Sequence, residues 1–293
     1  MSPAVITPLR TPGRAPRVLT IDAEEWFHVC GDDYYSDPRR WGGLAPRFER
    51  TFLWLLDRLE RGRHRATVFF LGWIAERYPD LVREAARRGH EIGLHGDLHR
   101  RADEMGPEEF REDLRRGRDR IEEACGVRAT LHRAAEWSIR SPEDPALAVL
   151  ASEGFVADAS MTAVAPLGRS DNPVGLHRIE LPEGSLIEAP PLTGRRFGRR
   201  ILAGGSWAFR VLSPKRLAQA EERFRRQGLP AIFHFHPWEL DPEHPPMEGL
   251  SPLLRLAHFA GLASFPERFE AWLACDRCVS MGSTLNGCAR IQR

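Results

Sequence analysis

Short apolar runs alternate with stretches of helical periodicity along most of the 293 residues, and this alternation restricts the fold more than any single motif. Ala66 to Leu71, bounded by Arg65 and Gly72, is a continuous apolar run of the kind a strand shows when both its faces are covered. Arg17–Asp22, Glu91–Leu94, Arg128–His132, Phe155–Asp158, Ser185–Ala189 and Ala231–His236 read as further strands. Helical spacing covers Phe48–Leu59, Ile74–Arg88, Pro107–Cys125, Glu143–Glu153, the stretch from Pro214 to Gly228, and Leu250–Leu273. About seven such alternations imply parallel strands, because each parallel crossover needs a helix to bring the chain back. An α/β barrel or a doubly wound sheet follows. In barrels the chemistry gathers at the carboxyl ends of the strands. Here Asp22, His95, Arg133, Asp158 and His236 end strands with unusual regularity.

The length fits one α/β barrel domain, expected over residues 17–274. A Pro- and Arg-rich segment, 1–16, is expected to be disordered, and residues 275–293 to be a poorly structured tail. The 42 basic and 41 acidic residues leave a net charge of +1, which gives no general attraction to nucleic acid or anionic membrane, so any acidic partner needs a local patch. Neither a signal-peptide core nor a run of eighteen apolar residues is present; the expectation is a cytoplasmic chain with no membrane insertion and no obligate protein partner. Five cysteines, an odd number, argue against a disulfide framework. Cys275-x-x-Cys278 stands alone and is expected to be structural.

Two imidazoles four residues apart, His95 and His99, fall on one side of a helical turn and are close enough to share a metal. Asp22 and Glu24 lie on one side of their strand by alternation, and Glu25 lies next to them. If the strand ends converge, two histidines and a carboxylate make a metal site with open positions for water. A further carboxylate held ionised by an arginine can then take a proton from that water.

With those residues in view, the sequence resembles the polysaccharide deacetylase superfamily, carbohydrate esterase family four, over roughly Val18 to Asp241. It is most similar to the branch associated with exopolysaccharide and exosortase gene clusters. The opening motif stands as Asp22-Ala23-Glu24-Glu25-Trp26-Phe27-His28 and the closing one as Phe235-His236-Pro237-Trp238-Glu239-Leu240-Asp241. The resemblance implies an irregular (β/α) barrel of about seven parallel strands. It also implies removal of an N-acetyl group from an amino sugar, with one divalent metal ion, zinc before cobalt, nickel or manganese. It gives Asp22 the role of general base, Arg133 that of orienting it, and His236 that of general acid. Asp158 becomes the acid that tunes the far side of the site. Glu24, with Glu25 as the alternative, joins His95 and His99 as metal ligands, while Trp26, Trp137 and Trp238 line the sugar pocket. Against the family pattern, the carboxylate ligand is a glutamate, alanine stands at Ala135 where proline is expected, and His132 replaces a tyrosine.

The aromatic and acidic loop carrying Trp26, Phe27, His28, Asp32, Asp33, Tyr34, Tyr35 and Trp41 is expected to wall a cleft. His90 is expected to hydrogen-bond locally, and His234 to point away from His236, outside the barrel; His132 is left to act, ligate or pack. Arg195, Arg196, Arg199 and Arg200 around Phe197 form a basic run able to grip an anionic polymer or to stay solvated. Two other functions fit the same residues: a metal-dependent amidase or cyclic imidase on a small molecule, and an inactive carbohydrate-binding relic of the fold.

Overall fold

Strand β2 (Arg17–Ala23) is buried along its whole length, and the molecule is arranged around it. A computed structural model describes residues 5–29, 32 and 34–291; Met1 to Ala4, Asp33 of the aromatic loop and the last two residues of the tail lie outside the described residues. The other strands are β1 (Val5–Pro8), β3 (Thr67–Phe70), β4 (Glu91–Leu94), β5 (Leu131–His132), β6 (Ala157–Asp158), β7 (His177–Leu181), β8 (Gly184–Glu188), β9 (Gly194–Arg196), β10 (Arg199–Ile201), β11 (Ala231–Phe235) and β12 (Cys278–Val279). Neighbouring strands in the series β8-β6-β5-β4-β3-β2-β11 are all parallel, and helices return the chain between most of them. The seam between β8 and β11 is closed by the segment that follows β8. Leu192 N–H donates to the Ile232 carbonyl at 2.8 Å, and His234 N–H to the Gly204 carbonyl at 2.9 Å. The fold is thus a seven-stranded (β/α) barrel, irregular at its closure.

Alternation along the strands divides the side chains into two layers. Leu19, Ile21, Val68, Phe70, Leu94, Phe233 and Phe235 face outward into the core shared with the helices. Val18, Phe69, Leu131, Ala157, Ala159, Ala189 and Ile232 face inward. That inner cluster also takes in Leu9 from the amino-terminal segment and Met281, Leu285 and Cys288 from the helix Met281–Ile291.

Both termini therefore depart from expectation. Val5–Pro8 pairs antiparallel with β7, and Cys278–Val279 pairs parallel with β2 ahead of that closing helix. Their apolar residues are few, but each covers an opening that the barrel leaves in its inner layer. Two expected helices are broken, at Tyr78-Pro79 and near Gly261, giving Gly72–Arg77, Pro79–Arg87, Pro252–Phe259 and Phe265–Leu273. The loose section 166–205 holds the antiparallel hairpin β7–β8 and the small hairpin β9–β10. Cys278 is buried, with its thiol pushed up to about 12 chiefly by burial, whereas Cys275 is exposed. The two do not form a paired site.

Candidate metal and catalytic site

Strand β2 delivers two carboxylates to the inner layer at its carboxyl end, Asp22 and, just beyond it, Glu24. Glu24 Oε2 lies 2.9 Å from His99 Nε2 and 3.7 Å from His95 Nε2, and one ligand atom from each of the three lies within 4.8 Å of the others. The histidines arrive on a loop rather than on a helical turn. After β4 the chain passes through Gly96 (φ 82°) and His99 (φ 51°), both left-handed, and these turns fold His99 back towards His95. The loop is fastened to its neighbours: Asp97 N–H donates to Asp113 Oδ2 at 2.9 Å, and the Asp97 carboxylate receives Arg116 and Arg120.

The chemistry of these donors fits a divalent cation. His95 Nδ1 donates to the Arg133 carbonyl at 2.8 Å, so in the neutral ring Nε2 is a lone pair facing Glu24. Glu24 is itself buried, and its Oε2 sits against these two imidazole nitrogens. Acceptors confined together repel one another unless a cation lies among them, and a backbone carbonyl fixing the outer nitrogen of a ligand histidine is a recurrent feature of such sites. Glu24 Oε1 is held separately, by Trp238 Nε1–H at 3.4 Å. Glu25 is used elsewhere: its carboxylate accepts the N–H groups of Arg47 and Phe48 at 3.0 Å, capping the helix Phe48–Arg61. Of the two glutamates, Glu24 is the one that faces the histidines.

Beside this group, Asp22 Oδ1 lies 2.7 Å from Arg133 Nη1. Burial alone would raise the Asp22 pKa, but the Arg133 guanidinium and the nearby imidazoles outweigh it and hold the carboxyl below its ordinary range. Arg133 is itself fully buried, with its guanidinium over the rings of Phe69 and Trp137 at 4.6 and 5.3 Å. His236 Nε2 lies 3.4 Å from Glu24 Oε1 and 4.0 Å from Asp22 Oδ2. Burial disfavours its charge, yet the carboxylates of Glu24, Glu239 and Asp22 push it up to about 9. Asp22, His234 and His236 also group closely enough to chelate. The Arg133 charge against Asp22 opposes a cation there and suits proton handling instead.

The profile of the polysaccharide deacetylase family matches residues 48–151, the stretch that carries both histidines and Arg133. Over that stretch the chain carries a polysaccharide deacetylase domain. Residues 159–285 match a domain of unknown function, DUF3473. A peptidoglycan-N-acetylglucosamine deacetylase of Bacillus cereus is 35% identical over 60 residues, which is 20% of this chain and 22% of that relative's length. The crystal structure of a putative polysaccharide deacetylase from Mycobacterium smegmatis shares the fold, with a TM-score of 0.66 and 20% identity over 98% of this chain and 96% of that one. A mutant of a CE4 family pseudoenzyme from Bacillus anthracis shares it less closely, with a TM-score of 0.50 and 14% identity over 97% and 72% of the two chains.

Some expectations for the candidate site change. Ala157 and Ala159 point into the barrel, so Asp158 between them points out. It bonds to His132 Nδ1 at 2.7 Å, next to Glu188, whose carboxyl is pushed well above its ordinary range by burial and by the Asp158 charge. His132, between Phe110 and Phe155, is accordingly a packed partner of Asp158. The carboxylate beside His236 is instead that of Glu239, whose Oε2 accepts from His236 Nδ1 at 3.1 Å and whose Oε1 faces Arg210 Nε at 3.1 Å. Its signal was its place in the closing motif, three residues after the histidine. His234 shares the inner face with His236, since residues two apart on a strand point the same way. It is buried, pushed down to about 3 chiefly by burial, and packs edge-on against Trp137.

Trp26 is 3% exposed in an aromatic cluster with Phe27, Tyr35, Trp41 and Trp238 and stacked on His244, so these side chains of the loop pack against one another and do not wall an open cleft. Trp238 stacks on His236, and Trp137 touches both Arg133 and His234. His90 accepts the Ala66 N–H at the opposite end of the strands, a local bond as expected.

Proposed function

We propose that the chain is a metal-dependent carbohydrate N-deacetylase that hydrolyses the N-acetyl group of an amino sugar in a polysaccharide, oligosaccharide or glycoconjugate. The observation that carries this reading is the convergence of the buried Glu24 Oε2 with His95 and His99, with the Asp22–Arg133 pair and His236 alongside. Glu24, His95 and His99 would hold the ion, and one carboxylate with two imidazoles suits zinc, with cobalt, nickel or manganese as substitutes. Such an ion lowers the pKa of a bound water and polarises the amide carbonyl.

Asp22, kept ionised by Arg133 despite its burial, takes the proton from the attacking water. Arg133 fixes the direction of the accepting oxygen through its bond to Oδ1 and is itself anchored by the Ala159 carbonyl at 3.0 Å. His236, on the other side of Glu24, gives the proton that the departing amine needs, while Glu239 fixes the ring with Nε2 towards the site. The balance is one amide and one water converted to acetate and a free amine. Trp137 and Trp238, each 8% exposed, border these groups with their ring edges and limit the space open to the acetyl methyl.

The test is product analysis with metal-replete protein. Acetate and amine in equal amounts from N-acetylglucosamine oligomers support the reading. A ring-opened acid from a cyclic imide would replace it with an imidase. Sugar binding without acetate release would replace it with the binding relic.

A further inference from the structure

Behind the hairpin β9–β10 a cavity of about 650 Å³ lies on the flank of the barrel at its closure seam, between the hairpin and the helix Pro214–Arg226. Arg195, Arg196, Arg200, Arg216 and Arg223 line it, and no carboxylate does; Leu212 and Phe224 are among the residues of its apolar floor. Arginines elsewhere in the chain sit largely on carboxylates, as Arg111, Arg115 and Arg118 do on Glu153. These five make no ion pair among the described residues. A chain of net charge +1 therefore concentrates uncompensated positive charge at one place.

The tip of the hairpin is a second, independent observation. Phe197 and Gly198 form a two-residue turn with φ of 49° and 77°, a geometry that favours Asn-Gly and costs energy with an aromatic residue. The phenylalanine is 90% exposed, so burial in this chain does not offset that cost. The helix Ser206–Val211, which follows the hairpin after a short connection, leaves Trp207 and Val211 exposed. It is tied by Arg210 to the carbonyls of Ala257 and His258 in the helix Pro252–Phe259. That second helix shows Leu253 and Leu256 to solvent at 76% and 64%.

We propose that this flank docks the protein on the surface of an anionic lipid bilayer, with the arginine-lined cavity receiving phosphate headgroups and Phe197 entering the interface. Unpaired arginines around an exposed aromatic tip are the composition of an interfacial anchor, and no spanning helix is required. The exposed Phe197, and Val211 next to the cavity-lining Leu212, favour a bilayer over a soluble acidic polymer, because apolar side chains gain from acyl chains and not from a hydrated polyanion. This inference concerns where the protein binds and does not depend on the reaction at the barrel mouth.

The experiment is co-sedimentation of the full chain with phosphatidylcholine vesicles and with vesicles containing phosphatidylglycerol. Binding is expected only with the anionic vesicles and is expected to be lost near 1 M salt, where screening shortens to about 3 Å. Arg196→Ala and Arg223→Ala should each weaken binding roughly fivefold. Phe197→Ser should weaken it without altering its salt dependence, with the thermal midpoint preserved or raised in every variant. Equal binding to neutral vesicles, or arginine variants that bind like the parent, would overturn the proposal. So would arginine-dependent binding of soluble polygalacturonate or inorganic phosphate without binding to anionic vesicles, which would make the cavity a site for soluble anions.

Discussion

Glu24 and Glu25 are adjacent and chemically alike, but they have separable consequences. Glu24→Ala should abolish stoichiometric binding of a divalent ion in a protein that still folds. Glu25→Ala should leave ion binding intact and lower stability by about 0.5–2 kcal/mol, the range for a lost helix cap; calorimetric titration and denaturant melts read the two effects. Asp22→Asn should lower turnover by roughly 10²- to 10⁴-fold, the usual contribution of a positioned base. Glu239→Gln removes a negative charge beside His236 and so lowers its pKa. Because a general acid must be protonated to act, the alkaline fall in kcat/KM should then begin at lower pH. A Glu239 that merely supported the turn Pro237–Leu240 would change stability and leave the profile in place.

At this scale the sequence was informative wherever alternation was applied consistently. Counting in twos from Asp22 gives Glu24 and not Glu25. The same count applied from Ile232 turns His234 inward with His236, and applied from Ala157 turns Asp158 out of the barrel. Glu239 escaped the count because it lies beyond β11, where a turn and not a strand decides direction.

Among the elements, the loop from Gly96 to His99 depends on how closely two helices approach it. A Cβ on Gly72 would meet Asp97 Oδ1 at 2.2 Å and the Gly117 Cα at 2.7 Å, and one on Gly117 would meet Leu94 Cδ1 at 2.7 Å. Gly72→Ala should therefore cost about 1–3 kcal/mol by overpacking, and because the clash is with Asp97 it should also weaken metal binding. A surface Gly→Ala change at Gly126 or Gly154 should leave metal affinity as it is. A second clasp involves Glu153, whose carboxylate receives Arg111 at 2.7 Å and Arg115 at 2.8 Å and whose pKa is lowered to about 2, chiefly by the hydrogen bond from Arg115. A depressed folded-state pKa gives stability that is present above the unfolded value near 4.5 and is lost as the pH falls through about 2. The parent should thus exceed Glu153→Gln by on the order of 1 kcal/mol at neutral pH, given the exposed arginine partners, and that gap should close in acid melts. The interior elements were legible because their apolar runs have strand or helix length. The helix breaks at Pro79 and Gly261 and strand β7 were not, since a strand reading His-Arg-Ile-Glu-Leu has only a short alternation to show.

In the whole molecule, the barrel and its parallel order follow from the alternation of elements, whereas its closure does not. The seam between β8 and β11 is joined by isolated bonds from the Leu192 and Gly204 backbones, which no side-chain pattern announces. The tail was hidden for a related reason: Met281, Leu285 and Cys288 fill the inner layer only because the barrel leaves it open at that end. Removing residues 275–293 should expose that layer, lower the thermal midpoint and increase binding of a hydrophobic dye, even though the truncation lies far from the catalytic groups. Among the described residues no helix is long and apolar enough to cross a membrane. The central claim is that Glu24, His95 and His99 together hold one ion on which deacetylation depends. It is tested most directly by titrating zinc into metal-free protein while measuring acetate released from N-acetylglucosamine oligomers. The account predicts no release without metal and a rise that levels off at one equivalent. Release from the metal-free protein, or none at saturating metal, would contradict it.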